Sequence, residues 1–304
     1  MKDLTGRVTS HKNISLHLNS QVAKVSGHIG KFTAIISGGN GNGKGTEISS
    51  GAIIVATGAD RALTNEYGYG TSDTILTQTE LEERLHENRF DGKNKNIVMI
   101  QCVGSRTSDH QYCSRVCCSM AVKNALKIKK SDPTANVFVL YRDIRTYGFR
   151  EKYYQAARKA GVIFMRYLPE KPPVVSEENG LIVRLDSPDF PEPVSIETDT
   201  LVLSTGVAAP KDNRVLADLL KVPLNKDGFF VEAHLKLRPV DFANEGIFLC
   251  GLAHSPKMID ENISQARAAA ARAATVLSKT QMEVNAQVSH VDQSKCISCT
   301  TFRY

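Results

Sequence analysis

A long apolar run is the first thing that this 304-residue sequence lacks. A helix that spans a membrane needs roughly 18 or more consecutive apolar residues, and no stretch of the sequence approaches that length. The first residues, from Met1 to Gly6, also lack the apolar core of a secretory signal peptide. We therefore expect a cytoplasmic protein without a membrane span.

A large excess of one charge is missing as well. Lys and Arg number 38 against 32 Asp and Glu, which gives a formal net charge of +6. The densest basic group is only Lys127, Lys129 and Lys130, whereas a nucleic-acid-binding surface needs clustered positive charge. Nucleic acid is therefore not an expected partner. Hydrophobic residues make up 41% and charged residues 23%, which is typical of a globular protein with one large or two ordinary domains.

The phosphate-binding motif G-x-G-x-x-G of dinucleotide-binding domains is absent from the whole sequence. The Gly-rich stretch 37–45 contains Gly-Lys without the P-loop spacing and predicts only a hairpin tip. Two apolar segments nevertheless end in Thr-Gly, one at 51–58 and the other at 200–206. Such segments are typical of strands in a parallel sheet, and their repetition predicts two related nucleotide-type domains.

Strands and helices alternate between those two segments. Predicted strands at 96–101, 135–141 and 162–165 are separated by predicted helices at 114–130 and 149–160, the second of which ends at Gly161. This order is typical of a parallel α/β domain. The remaining predicted elements are strands at 22–27, 31–36, 181–185, 194–196, 228–231 and 246–251 and an Ala-rich helix at 259–278.

The seven cysteines are an odd number, and four of them fall within 17 positions: Cys102, Cys113, Cys117 and Cys118. Clustered cysteines in a cytosolic chain indicate metal or redox chemistry more often than disulfides. Cys113 and Cys117 share one helix face if the helix has begun by Cys113. Thiolates from a strand end and the next helix N-terminus favour a [4Fe–4S] cluster. A zinc site, a redox disulfide and buried cysteines that pack as small hydrophobes stay open as alternatives.

The position of these cysteines in the predicted domain also matters. In a dinucleotide-binding domain, the turn after the first strand holds the pyrophosphate at a helix N-terminus. Here that turn holds Cys102 and the residues that lead to Cys113. A nucleotide and a cluster would compete for the same space, so we predict that a cluster replaces the nucleotide in this domain.

Two segments around these cysteines, Gln101–Arg106 and Tyr112–Cys118, resemble the A subunit of heterodisulfide reductase. The similarity covers roughly residues 20 to 280. Its other motifs are Lys123–Leu126, Tyr141–Arg145, Gly228–Phe230, Pro239–Asp241, Gly251 with Pro256–Lys257, and Gln265–Ala270.

The resemblance implies an α/β fold with a thioredoxin-reductase-like pair of Rossmann-type three-layer domains. Two parts of an FAD-binding domain are expected to flank a module that is similar to a pyridine-nucleotide domain. The expected divisions are 1–62 for the second part of the FAD-binding domain, 63–206 for the module with the cysteines, 207–282 for the C-terminal part of the FAD-binding domain, and 283–304 for a linker and a truncated ferredoxin start. The chain is then a fragment without the N-terminal G-x-G-x-x-G segment and most of a C-terminal ferredoxin domain. Cys296 and Cys299 cannot complete a cubane alone, because the third ligand position of the ferredoxin run is Phe302.

The resemblance also implies a function. The family binds FAD and [4Fe–4S] clusters and takes part in flavin-based electron bifurcation within a cytoplasmic complex of methanogenesis. We therefore expect an oxidoreductase subunit, inactive without partner chains, that passes electrons between FAD and a cluster on Cys102, Cys113, Cys117 and Cys118. The expected partners are other heterodisulfide reductase subunits, a hydrogenase or formate dehydrogenase that supplies electrons, and a second copy of the flavoprotein. Lys123 is the expected counterpart of the family's lysine near the isoalloxazine, where a cation stabilises a reduced, anionic flavin.

The FAD site is expected at the ends of two strands. Small residues after the first Thr-Gly strand and a glycine after the strand at 246–251 let the backbone approach a dinucleotide, and the helix from 259 points its N-terminus toward it. The expected FAD-binding residues are Ala56, Thr57, Gly58, Lys123, Gly251, Pro256 and Lys257.

Two other functions stay open. The chain could be a thioredoxin-reductase-like FAD enzyme in which Cys113 and Cys117, or the neighbours Cys117 and Cys118, cycle between dithiol and disulfide. It could also be a non-catalytic scaffold that docks onto partner subunits.

Overall fold

A computed structural model describes residues 2–38, 45–93, 95–177, 180–281 and 295. No helix in these ranges is both long enough and apolar enough to cross a membrane. The helices of the described residues are α1 (Lys2–Thr9), α2 (Gln78–His86), α3 (Cys117–Ser131), α4 (Glu151–Lys159), α5 (Asn213–Leu220) and α6 (Ile259–Leu277). The strands are β1 (Ser20–His28), β2 (Lys31–Gly38), β3 (Thr46–Ser50), β4 (Ile53–Val55), β5 (Asp60–Arg61), β6 (Ile75–Thr77), β7 (Asn96–Ile100), β8 (Asn136–Tyr141), β9 (Ile163–Arg166), β10 (Val174–Ser176), β11 (Ile182–Leu185), β12 (Val194–Glu197), β13 (Thr200–Leu203), β14 (Val207–Ala208) and β15 (Ile247–Leu249).

A parallel sheet in the order β6-β13-β7-β8-β9 forms the centre of the middle part of the chain. Its inner strands carry unbroken apolar runs, and the side chains from Ile97 to Ile100 and from Leu201 to Leu203 are fully buried. Helices α2, α3 and α4 pack on one face, and the antiparallel sheet β10-β11-β12 packs on the other. Covered on both faces, a parallel sheet gives a three-layer domain, which confirms the predicted fold class.

The predicted alternation of strands and helices is confirmed in the order β7-α3-β8-α4-β9. Gly161, with a φ of +82°, follows α4 as predicted. The predicted start of α3 at residue 114 is wrong, because the helix begins at Cys117. Arg115 has a φ of +62°, a left-handed conformation that no α-helix contains. Cys113 therefore lies in the loop and does not share a helix face with Cys117.

The rest of the described chain forms a second unit of strands and helices. β1, β2 and β3 make an antiparallel sheet, β4 pairs with β15 in parallel, and α6 packs beside that pair. Phe32, Phe230 and Phe242 fill a core with Leu249. The predicted apolar strands at 51–58 and 246–251 are shorter in the structure, since only their central residues pair with each other.

The predicted strand Gly228–Val231 is wrong. Only an isolated bridge at Phe230 remains there. The side chain of Asn225 accepts hydrogen bonds from the backbone N–H of Asp227 at 2.9 Å and of Phe229 at 3.0 Å. These bonds hold the segment in a turn, because an Asn side chain can replace a backbone acceptor.

The two Thr-Gly segments lead into strands that meet. β5 follows Gly58, β14 follows Gly206, and the two pair antiparallel with Val207 opposite Arg61. The division of the chain into domains stays a prediction. The β5–β14 pair lies next to the first two predicted domain boundaries, which follow residues 62 and 206.

Candidate functional site

The four clustered cysteines lie beyond the carboxyl end of β7, and we call them the thiol site. Residues 102–116, which we call the cysteine loop, join β7 to α3. Within this loop Cys102, Arg106 and Arg115 have φ values of +62°, +60° and +62°. Left-handed backbone is costly for residues other than glycine and persists where the surroundings hold a loop in one shape. The loop is therefore fixed by its contacts rather than by the preference of its residues.

The segment after β13 closes one side of the thiol site. Gly206 has a φ of +82°, and a Cβ at this position would lie 2.3 Å from Ser114 Oγ and 3.4 Å from Cys117 Sγ. Ser114 Oγ also accepts a hydrogen bond from the Val207 N–H at 3.0 Å. The Thr-Gly end of β13 thus holds the cysteine loop in place, and only glycine fits there.

The thiols are close enough to influence one another's ionisation. Burial raises the pKa of Cys117, and the neighbouring thiols of Cys118, Cys102 and Cys113 raise it further. Burial also raises the pKa of Cys118 to about 11; Cys102 and Cys113 add to this effect, and a backbone hydrogen bond opposes it. Cys117 and Cys118 are therefore neutral thiols at pH 7, and a metal that binds them must displace their protons.

Arginine side chains surround the thiol site. Arg106 Nη1 lies 3.9 Å from Cys102 Sγ and forms an ion pair with Asp143, and Arg145 Nη2 lies 3.2 Å from Asp143 Oδ2. Arg142 donates to the Arg106 carbonyl at 2.9 Å. Burial alone would raise the pKa of Asp143, but hydrogen bonds from Arg145 and Arg106 outweigh it and lower that pKa. Three guanidinium groups against one carboxylate leave positive charge, which stabilises an anionic group on these thiols.

The donor set can be compared with the groups that cysteines hold. In the described part of the chain, no group of three or more His, Cys, Asp or Glu side chains is placed to hold a metal ion. A single ion needs its ligands around one point, whereas each thiolate of a [4Fe–4S] cluster binds its own iron at a separate corner. Four cysteines and the surrounding arginines, with the Arg115 N–H that donates to Cys113 Sγ at 3.3 Å, are the kind of donors that a [4Fe–4S] cluster requires.

A second site, which we call the crevice, lies where β4 and β15 end. The two strands are parallel neighbours with Leu249 opposite Val55, and the Cys250 N–H donates to the Val55 carbonyl at 3.0 Å. The segments that follow both strands are thus brought to one edge. Of the residues expected to bind FAD, the structure brings together Ala56, Thr57, Gly58 and Gly251. A Cβ on Gly58 would meet no atom within 4 Å, so the crevice has open space on that side.

Lys257 stabilises the loop between Gly251 and α6. Lys257 is only 7% exposed, and its Nζ donates to the carbonyl oxygens of Gly251 at 2.7 Å and Ser255 at 2.9 Å. Burial lowers the pKa of Lys257 to about 8. The ammonium group is thus engaged with the loop carbonyls, and the predicted role of Lys257 and Pro256 toward FAD stays a prediction.

His254 adds a second polar network to this loop, and the sequence did not predict this network. Its Nδ1 accepts a hydrogen bond from Gln265 Nε2 at 2.8 Å, so Nε2 carries the proton and donates to Glu232 Oε2 at 2.8 Å. Gln265 Oε1 in turn accepts from the Gly251 N–H at 2.9 Å. Single residues far apart in sequence form no motif, so no signal pointed to this network.

We expect the stability of the chain to fall more steeply between about pH 7.5 and about pH 5 than that of a His254→Gln variant. Burial lowers the pKa of His254 and Lys257 lowers it further, while Glu232 opposes both. As the pH falls, His254 therefore binds a proton in the unfolded chain before it does so in the folded chain. The folded state loses stability below the pKa of histidine in the unfolded chain, which is about 6.5. Urea unfolding at both pH values measures the difference, and equal pH dependence in the two proteins would contradict it.

Lys123 lies on α3, and its Nζ forms an ion pair with Glu82 Oε1 at 2.6 Å. It lines a pocket of about 440 Å³ between α3 and α4, together with Arg150 and Tyr153. Arg150 Nη2 also lies 2.5 Å from Asp260 Oδ1 in the first turn of α6. One wall of this pocket is thus attached to the helix that begins at the crevice.

Arg115 joins the thiol site to the crevice. Its guanidinium donates to Glu261 Oε1 at 2.8 Å, to the Pro256 carbonyl at 3.4 Å and to Tyr147 OH at 3.1 Å. In the sequence, Arg115 is noticeable only as part of the segment Tyr112–Cys118. Its partner Glu261 is 146 positions away, and only the fold brings the two together.

Two sequence features lie outside the residues that the structure describes. The first is the pair Cys296 and Cys299, and the second is most of the Gly-rich stretch 37–45. The predictions made for both stay predictions.

Two solved structures have a similar fold, although their sequence identity to this chain is low. Thioredoxin reductase from Lactococcus lactis matches with a TM-score of 0.53 and 15% identity over 85% of this chain and 74% of that one. LpdA from Mycobacterium tuberculosis matches with a TM-score of 0.56 and 12% identity over 93% of this chain and 55% of that one. At such identities the likeness shows the fold alone, and the chain has the thioredoxin-reductase-like fold.

Curated relatives are much more similar in sequence. The iron-sulfur A subunit of CoB–CoM heterodisulfide reductase from Methanocaldococcus jannaschii is 39% identical over 270 residues. The A subunit of H2/formate:CoB-CoM heterodisulfide,ferredoxin reductase from Methanococcus maripaludis is 39% identical over 269 residues. The aligned part is 83% of this chain and 41% of each relative, so the chain spans about two fifths of their length. No protein-family model matches the chain. Over the aligned residues, the chain is similar to the A subunits of heterodisulfide reductases.

Proposed function

We propose that this chain is an electron-transfer subunit in which the thiol site holds a [4Fe–4S] cluster and the crevice holds part of an FAD. The observation that carries the proposal is the position of Cys102, Cys113, Cys117 and Cys118 beyond the end of β7, where Cys102 and Cys113 lie close enough to add to the effect of burial on the pKa of Cys117 and Cys118. When bound, the flavin supplies two-electron chemistry and the cluster one-electron chemistry.

The residues around the thiols support a negatively charged group. Burial raises the pKa of the Cys102 thiol, and the positive charges of Arg106 and Arg142 oppose this effect. The Arg115 N–H points at Cys113 Sγ, and hydrogen bonds to cluster sulfurs change the reduction potential. In this proposal the chain's own arginines set how readily the cluster accepts an electron.

The crevice supports a dinucleotide for a different reason. Ligands of open α/β sheets bind beyond the carboxyl ends of parallel strands, where glycine lets the backbone come close. Gly58 and Gly251, with φ values of +77° and +78°, occupy this place at the ends of β4 and β15. Lys123, in the pocket beside α4, is proposed to stabilise a reduced flavin by its positive charge, in exchange for its present partner Glu82.

The partners of the chain follow from the names of its relatives. The Methanococcus maripaludis relative is named for H2 or formate, for the CoB–CoM heterodisulfide and for ferredoxin. We propose that this chain works in such a complex, in the cytoplasm and as a homodimer, with a hydrogenase or formate dehydrogenase as electron source. Flavin-based electron bifurcation and a place in methanogenesis belong to the same proposal.

The dithiol mechanism has less support. It needs a thiol with a lowered pKa, whereas burial raises the pKa of Cys117 and Cys118. The five cysteines that the structure describes are all unpaired. Exchange between neighbouring thiols would thus start from two poorly ionised groups.

A reductive titration tests the proposed function. The chain is loaded without air with iron, sulfide and FAD and is titrated with dithionite, and the same chain loaded with FAD alone is the control. We expect the fully loaded chain to take up more electrons than the control and to develop the EPR signal of a reduced cubane cluster. A fully loaded chain that takes up no more electrons than the control and gives no such signal would contradict the proposal.

A further inference from the structure

We propose that Arg115 is a positioning residue that couples the thiol site to the crevice, so that a ligand at one site strengthens binding at the other. The identity of the two ligands rests on the proposed function. The link between the two sites is carried by this chain's own residues and can be tested without either ligand.

The link begins in the cysteine loop. The backbone N–H of Arg115 donates to Cys113 Sγ at 3.3 Å, and its φ of +62° lies in the narrow left-handed region. The next residue is held as well, because the Val116 N–H donates to the Ser114 carbonyl at 2.7 Å. A backbone with so little freedom fixes the direction in which the Arg115 side chain leaves the loop.

The link ends at the first turn of α6. Glu261 receives Arg115 on Oε1 at 2.8 Å and the Met258 N–H on Oε2 at 2.8 Å. Both oxygens of this carboxylate are thus used, one by the cysteine loop and one by the start of the helix. The Pro256 carbonyl accepts a further bond from Arg115 at 3.4 Å. A shift of the guanidinium therefore moves both the loop after Gly251 and the beginning of α6.

The Arg115 side chain is also fixed from a third direction. Its Nε donates to Tyr147 OH at 3.1 Å, and the side chain is only 32% exposed. A partly buried arginine with several partners holds one geometry better than an exposed surface pair does. The guanidinium thus behaves as a rigid connection between the two sites.

A neighbouring ion pair provides a matched control. Arg150 Nη2 lies 2.5 Å from Asp260 Oδ1, so it contacts the same helical turn through the adjacent acidic residue. Arg150 lies between β8 and α4 and outside the cysteine loop. Breaking this pair changes the charge in the same place without releasing a cysteine.

The first experiment uses the chain without iron or FAD and measures the alkylation rate of Cys113 by peptide mass spectrometry. We expect roughly threefold or faster alkylation in both Glu261→Gln and Arg115→Gln, because each frees the loop. Asp260→Asn and Arg150→Gln should leave the rate unchanged.

A purely electrostatic effect would change the alkylation rate of Cys113 in opposite directions in Glu261→Gln and Arg115→Gln, since the first loses a negative and the second a positive charge. That outcome, or an unchanged rate in Glu261→Gln, would overturn the link.

The second experiment measures FAD affinity with and without the iron–sulfur cluster. We expect the cluster to tighten FAD binding by about fivefold or more in the unmodified chain and in Asp260→Asn, and by less than about twofold in Arg115→Gln. Arg115→Lys keeps the charge but not the fork of donors, so it should lose most of the coupling while it still binds both groups. Equal coupling in Arg115→Gln and the unmodified chain would overturn the inference. A chain that shows the alkylation pattern but binds no iron would instead overturn the proposed function and leave the link standing.

Discussion

Replacing Cys118 by serine is expected to reduce the iron bound by the chain about tenfold or more. The hydroxyl of serine is a far poorer ligand for iron than a thiolate, and a cubane that has lost one corner ligand is no longer held at the end of β7. Iron and acid-labile sulfide are measured after anaerobic loading and desalting.

Cys250 provides the matched control for this experiment. Cys118 and Cys250 are both 6% exposed, but Cys250 follows β15 and is not part of the thiol site. Cys250→Ser should therefore cost a similar amount of packing while leaving the bound iron unchanged. Equal loss of iron in the two variants would mean that the loss comes from unfolding rather than from a missing ligand.

The second large effect is expected from Gly206→Ala. The left-handed φ of +82° and a contact of 2.3 Å to Ser114 Oγ together should destabilise the chain by roughly 3 kcal/mol. Because Ser114, which lies in the cysteine loop between Cys113 and Cys117, must move away, cluster loading should fall as well. Chemical denaturation of the iron-free chain measures the first effect, and iron analysis of the loaded chain measures the second.

Gly70→Ala separates backbone strain from crowding. Gly70 has a φ of +92°, and a Cβ there would meet no atom within 4 Å. This variant should lose only about 1–2 kcal/mol, the cost of a left-handed non-glycine residue, and should load iron normally. If Gly206→Ala were no less stable than Gly70→Ala and bound as much iron, the close approach of β13 to the cysteine loop would have no consequence.

The alternation of strands and helices was predictable because buried parallel strands are apolar throughout. Ile97 to Ile100 and Leu201 to Leu203 show this directly, and both segments form strands. The start of α3 was not predictable in the same way. Nothing in the sequence marks Arg115 as left-handed, and its contacts with Pro256 and Glu261 join residues more than 140 positions apart, which the sequence does not reveal.

The position of the candidate residues was predictable to a similar extent, whereas their roles stay predictions. The spacing of the four cysteines pointed to a shared site, and the structure places them in one loop and one helix start, where the other three thiols add to the effect of burial on the pKa of Cys117. The crevice was predictable from the glycines that follow two apolar strands. The buried network of His254 and Glu232 was not, because its members are ordinary polar residues whose relation exists only in the folded chain.

The presence of a cluster at the thiol site is tested by analysis of iron and acid-labile sulfide in the chain purified without air. We expect about four iron atoms and about four sulfides at the thiol site, with an EPR signal of a cubane cluster that appears on reduction. Stoichiometric zinc without iron, or a chain that binds no metal while Cys117 and Cys118 form a disulfide, would contradict it.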